Sequence, residues 1–423
     1  MSKKYAELSK EELAELLEQE RKTFQRFKKD RLSLDMTRGK PAKNQLDICL
    51  PMLKIPGADG VDFVQDGQDV RNYGLLDGTP AAKELFAELF DVSPDMVIAS
   101  DGSSLQLMYK LVQHGMQFGF LGGAPWNKGR VKFICPVPGY DRHFGICKAF
   151  GIEMISVPMD ENGPDMKVVE ALAGSDENVK GIWCVPKYSN PTGVVYSDKV
   201  VERLANMKTV APDFRIFWDN AYMVHGFYDK DDKLKNIFDA AKKENQSRIL
   251  TFASTSKITF AGAGISALAS SKENIAEIKS RMTYETIGPN KLNQFMHTEY
   301  LKNKDGVMKI MRKHAEIMRP KFELLISMLE ELNELGIGEF TKPRGGYFIS
   351  LNVLEGCAKR TVALAAEAGV KLTPAGATFP NGLDDCDKNI RIAPSVPPAA
   401  ELEIATRVLV NAVKIAALEK LVG

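Results

Sequence analysis

Seven short apolar runs, interleaved with helical segments, constrain this chain more than any other feature. They read MVIAS (96–100), VKFICPVP (131–138), EMISVP (153–158), GIWCVP (181–186), RIFWDN (215–220), RILTFAS (248–254) and GISALAS (264–270). Between or after them fall stretches of helical period such as DKVVERLANMKT (198–209) and ENIAEIKSRM (273–282). A strand with apolar side chains on both faces cannot lie against water on either, so it needs helices above and below it. The pattern predicts an α/β fold built on a mostly parallel, seven-stranded sheet between helices. Such sheets bind ligands outside the carboxyl ends of their strands. The chemically unusual residues follow the apolar runs. Asp101-Gly102-Ser103-Ser104, Tyr140, Asn190, Asp219 and Ser254 to Lys257 each come after a different one.

Beyond about residue 320 the character changes to a long amphipathic helix, RPKFELLISMLEEL, then GYFISLNV, NIRIAPS and a closing helix. This reads as a smaller α+β domain. The division expected is an N-terminal segment 1–50 that joins the small domain, a large domain 51–318 and a small domain 319–423. A chain of 423 residues has length enough for both parts and a sizeable core.

The charge balance, 56 Lys plus Arg against 55 Asp plus Glu, gives no electrostatic reason to expect nucleic acid or an anionic membrane as partner. No apolar stretch is long enough to span a bilayer. The N-terminus is a charged helix in which Ser9 and Glu12 fit a capping box, not a signal peptide. Six cysteines (49, 135, 147, 184, 357, 386) and five dispersed histidines show no metal-ligand spacing and no disulfide framework. A reducing, cytoplasmic location is the expectation.

In FASTSKITFAGAG (252–264) a lysine, Lys257, is set among hydroxyls and is followed by small residues. A cation in so stripped a setting either snorkels to the surface or is an amine kept for chemistry. Asp219, closing RIFWD, suits a helix cap or a carboxylate facing a cationic ring nitrogen. Asn190 in YSNPTG is ordinary turn chemistry on its own. Arg391 in NIRIAPS has the fork for a structural ion pair or for a ligand carboxylate. SDGSSLQLMYK reads as strand, polar turn and helix, and the free N–H groups of a helix start cradle anions.

No one of these is specific, but the ordered set is. From NYGLLDGTPAAKELFAEL to RIAPS the chain resembles the fold-type I pyridoxal-phosphate enzymes, specifically the class I aminotransferases. That resemblance implies pyridoxal 5'-phosphate as cofactor and Lys257 as the Schiff-base lysine. Asp219 would pair with the pyridine nitrogen, while Asn190 and Tyr222 would bond the phenolic oxygen. Tyr140 would stack on the ring, and Ser103, Ser104 and Ser254 would hold the phosphate. Tyr73 would reach a phosphate across a homodimer interface. Arg391 would grip the substrate α-carboxylate, with Gly39 and Asn190 on the substrate side of the pocket. The implied activity moves an amino group from an L-amino acid, aspartate, to a 2-oxo acid, 2-oxoglutarate, in a ping-pong cycle.

The chain departs from the family at one position. Most class I members carry an arginine eight residues after the lysine, where it pairs with the phosphate; here that residue is Ile265. SKITFAGAGIS, DGSSLQLMY and PRGGYFISL look most like a bacterial subgroup related to the aminotransferase domain of MocR-type regulators. A second cationic grip for a dicarboxylic substrate has three candidates, Arg38, Arg281 and Arg344. A β-elimination lyase would use the same lysine and cofactor. A ligand-binding regulatory module would need a DNA-binding domain, and the single charged helix before residue 35 is too short to be one.

Overall fold

The computed structural model describes residues 4–121, 123–230 and 232–423. Each of the seven apolar runs forms a strand: β1 Val97–Ala99, β2 Lys132–Val137, β3 Glu153–Asp160, β5 Val179–Cys184, β6 Arg215–Asp219, β7 Ile249–Ser254 and β8 Ser266–Ala269. An eighth, two-residue strand, β4 (Gly163–Pro164), folds back on the end of β3 and widens the expected seven-stranded sheet to eight, in the order β1-β8-β7-β6-β5-β2-β3-β4. β7, β6, β5, β2 and β3 run parallel in turn, while β8 is antiparallel to both β7 and β1. The carboxyl ends of β1, β2, β5, β6 and β7 therefore share one edge.

The period-two alternation along these strands separates two cores. Ile134, Ile182, Ile216 and Ile249 are buried on one face, whereas Phe133, Trp183, Phe217 and Phe252 are buried on the other. The aromatic face forms a chain of ring contacts, Phe133–Phe217 at 5.5 Å, Trp183–Phe217 at 4.6 Å and Phe217–Phe252 at 5.8 Å. Offset and tilted pairs of this kind add about 0.5–1.5 kcal/mol each beyond the area they bury.

A third core lies around the antiparallel sheet β9 (Gly338–Phe340), β10 (Ile349–Val353) and β11 (Asn389–Ile392). The N-terminal helix Lys10–Lys29 contributes Leu13, Leu17 and Phe24 to it, packed with Leu409 and Val413 of the closing helix Ala399–Val422. Ser9 and Glu12 cap that first helix reciprocally, with bonds of 3.2 and 2.7 Å. The helix Lys304–Glu334 belongs to both parts. Val307, Ile310 and Met311 sit in the core of the large sheet, and Met318, Phe322 and Leu325 in that of the small one. Among the described residues no helix is long and apolar enough to cross a membrane.

Candidate active site

The shared strand edge collects the unusual residues in two groups, an inner one around Asp219 and an outer one at an open cleft. At the inner end, β6 delivers Asp219 into the interior, 2% exposed. Its Oδ2 lies 3.1 Å from His143 Nε2, and its Oδ1 is buried with no partner among the described residues. His143 is held from below: its ring is stacked on Trp183 at 4.4 Å and 10°. The aromatic face of the sheet thus orients the imidazole that steadies the carboxylate. Sequence reasoning missed His143. The only signal is its place three residues after Tyr140, one turn along the helix Asp141–Ala149.

Lys257 stands on a single turn after β7, closed by Ile258 and Thr259 N–H bonds to Thr255 O. Its Nζ is 5.0 Å from the Tyr222 ring centre and 5.8 Å from that of Tyr347. The residue is half-buried at the cleft floor. Burial pushes its pKa down, and the charge of Asp219 opposes that shift without cancelling it. His225, buried against Tyr222 and Tyr347, is held neutral by its own burial and then by the charge of Lys257. Burial, reinforced by neighbouring negative groups, keeps the phenols of Tyr140 and Tyr222 protonated.

Asn190 meets the same space from the β5 side. Arg391, on β11, reaches Asn190 Oδ1 at 3.4 Å and Asp141 Oδ1 at 2.7 Å, with its guanidinium 5.0 Å from the Phe348 ring centre. Gly39 packs under that ring: a Cβ there would stand 2.6 Å from Phe348 Cζ and 2.9 Å from Tyr347 Cβ. Larger residues at 39 would push both aromatics into the pocket.

At the outer end, a cleft of about 760 Å³ is lined by Gly102, Ser103, Gln106, Gly264 and Asn293, among others. Lys257 and Asp219 lie deeper and do not line it. Ser103 precedes the helix Ser104–Phe118 without capping it, which leaves the first N–H groups of that helix uncapped. Its hydroxyl and the Gly102 N–H instead donate to Gln106 Oε1 at 3.3 and 3.1 Å. Ser254 Oγ donates to Ser256 Oγ at 3.1 Å. A Cβ on Gly264 would come within 2.9 Å of both Gly102 O and Ser256 Oγ, so the cradle tolerates only glycine there.

The structure gives a physical reason for Ile265. Its backbone pairs with Thr255, N–H to Oγ1 at 3.0 Å and carbonyl to N–H at 2.9 Å, which clamps the lysine loop shut. Its side chain is buried in the apolar core of the sheet, where a cation would be stranded. The cation lining the outer cleft among the described residues is Lys110, which is paired with Asp101 at 2.7 Å and with Glu285.

Other expected residues lie apart. Tyr73 is 79% exposed, and among the described residues its N–H donates to Asn72 Oδ1 and not to any of these groups. Arg281 lies over Phe118 and pairs with Glu277, and Arg344 pairs with Asp232 beside Tyr228. Arg38 is exposed next to Gly39.

The donor set fits a pyridoxal-phosphate molecule. A buried, unpartnered carboxylate oxygen suits a protonated ring nitrogen, and an uncapped helix start with hydroxyls around it suits a phosphate. Fold and site together define a fold-type I, pyridoxal-phosphate-dependent aminotransferase. The family model described as aspartate amino-transferase matches residues 8–423, and the chain belongs to that family. It is 46% identical over 404 residues to an aspartate aminotransferase of Corynebacterium glutamicum, covering 94% of this chain and 93% of that one. The crystal structure of an aspartate transaminase from the same species superposes with a TM-score of 0.94 at 45% identity, over 97% of each chain. The α-aminoadipate aminotransferase LysN of Thermus thermophilus, complexed with N-(5'-phosphopyridoxyl)-L-leucine, shares the fold at a TM-score of 0.75 and 20% identity, over 92% of this chain and 93% of that one.

Proposed function

We propose that the enzyme takes the amino group of L-aspartate and passes it to 2-oxoglutarate in the two half-reactions of a ping-pong cycle. The observation that carries this reading is the buried Asp219 Oδ1, without a partner among the described residues, in a carboxylate near enough for its charge to act on Lys257, whose pKa burial lowers. Bound there, the cofactor supplies an electron sink for the pair left on the substrate Cα when its proton departs.

The chain's own residues do the rest. Asp219 Oδ1 would accept a hydrogen bond from the protonated ring nitrogen and keep it protonated, and His143 holds the carboxylate in position through Oδ2. Tyr222 and Asn190 hydrogen-bond the phenolic oxygen, and Tyr140 covers a ring face. Ser103, Ser104 and Ser254 bind the phosphate. The ε-amine of Lys257, whose pKa burial lowers, would take the proton from Cα and hand it to the cofactor's imine carbon, and would run the same transfer in reverse in the second half-reaction. Arg391 grips the α-carboxylate beside Asn190 and Gly39. Of the three distal candidates Arg38 is favoured, since Arg281 and Arg344 are already engaged elsewhere. The exposed setting of Tyr73 supports a homodimer in which it completes the partner's phosphate site. Residues 1–50 and 319–423 would act as the small domain that carries Arg391.

The test is the visible absorbance of the purified holoenzyme on adding L-aspartate alone. Conversion of the yellow form to the pyridoxamine form, reversed by 2-oxoglutarate, is expected. Release of ammonia and pyruvate from a suitable β-substituted amino acid, with no such conversion, would instead make the enzyme a lyase.

A further inference from the structure

Arg391 already holds a carboxylate. Its Nη1 donates to Asp141 Oδ1 at 2.7 Å, across 250 residues of sequence and between two different parts of the fold. Asp141 opens the helix that follows β2 of the large sheet, and Arg391 stands in β11 of the small one.

The two partners are unequally fixed. The side chain of Arg391 is 7% exposed, fixed by its strand and by the Phe348 ring, whereas that of Asp141 is 33% exposed. Asp141 is therefore the partner free to leave. Its grip is also incomplete. Among the described residues, Arg391 Nη2 makes only a 3.5 Å contact to Thr373 Oγ1, and Nε is buried with no partner. A carboxylate that engages two guanidinium nitrogens outcompetes one that engages a single nitrogen. A buried guanidinium left without a counter-charge would be costly, so an exchange of one carboxylate for another is the low-energy route. Once released, Asp141 sits in the first turn of its helix, where the exposed N–H groups favour a negative charge.

We propose that Asp141 is an internal carboxylate that occupies the substrate-carboxylate seat of Arg391 in the unliganded enzyme and is displaced by the substrate. Asp141 is then a specificity-determining residue: a ligand without a carboxylate leaves it in place, and every carboxylate ligand binds against its competition. This rests on reading Arg391 as the α-carboxylate grip.

The test is calorimetric titration of the holoenzyme with succinate, a carboxylate that cannot be transaminated. Asp141→Asn and Asp141→Ala should both bind succinate about 3- to 10-fold more tightly than wild type, since the competing occupant is gone. Weaker or unchanged binding in both would overturn the proposal and make Asp141 a holder of the Arg391 pose. The gain should survive raised salt, because contact pairs out of bulk water are little screened; a gain that vanishes in salt would mean a distant field and would also overturn it. Arg391→Lys separates the two layers. If it binds succinate like wild type, the grip itself is misassigned. If it loses at least about tenfold while the Asp141 variants gain nothing, the grip stands and only the displacement fails.

Discussion

The two groups of residues proposed to hold the cofactor, at its ring and at its phosphate, solve the same problem, holding a charged group, by opposite means. At the ring end one carboxylate, Asp219, is sunk in the core and braced by a histidine stacked on a tryptophan. At the proposed phosphate end no unpaired cation lines the cleft among the described residues, which offer uncapped N–H groups, hydroxyls and a glycine turn. The inner arrangement concentrates its effect in a single buried charge whose environment amplifies it. The outer one spreads binding over several neutral donors, each worth little.

The largest effect should come from the ring end. Asp219→Asn keeps the shape but removes the charge, and turnover should fall about 10²–10³-fold while the cofactor remains bound. Single-turnover kinetics with L-aspartate measure it; a loss under tenfold would break the contrast. Next is His143→Leu, which leaves Asp219 Oδ2 without its bond. Losing a hydrogen bond to a charged group costs about 1.5–3 kcal/mol, so turnover should drop about 10- to 100-fold with little change in cofactor affinity. Smaller still is Ser254→Ala at the phosphate end. One neutral donor is worth about 0.5–1.5 kcal/mol, which is about 2- to 10-fold in the cofactor dissociation constant, with turnover unchanged when cofactor saturates.

The smallest effect is on stability. The pKa of Lys257 in the folded chain lies below its ordinary 10.5, so between the two values the folded state binds fewer protons than the unfolded one. Stability of the cofactor-free protein therefore rises as pH climbs through that window. Lys257→Met should melt higher than wild type at neutral pH, and the advantage should shrink toward pH 10.5. Thermal melts of both proteins across pH would show it.

How much of this was legible in the sequence differs in the same way between the two ends. The apolar runs announced the strands because burial on both faces leaves no other pattern, and the strand-end rule then placed Lys257, Asp219, Asn190 and Ser103 on one edge. The missing cation at position 265 was visible too, but its cause was not. It lies in the burial of the Ile265 side chain in the apolar core of the sheet, which only the assembled fold reveals. His143 was hidden for a similar reason: its orientation depends on Trp183, forty residues on and on another strand. The pairing of Asp141 with Arg391 joins two sheets, and no local pattern reports it.

The helix Lys304–Glu334 has a mechanical consequence. With 31 residues it is a rod of about 46 Å, gripped at one end by the core of the large sheet and along the rest by that of the small one. Any swing of the small sheet toward Asp141 must be stored in this rod as flexure. Pro320, inside it, lacks the N–H that would have stiffened the turn and so marks where the rod bends most cheaply. If the small sheet swings toward or away from Asp141, the bend is expected to fall in this single proline turn.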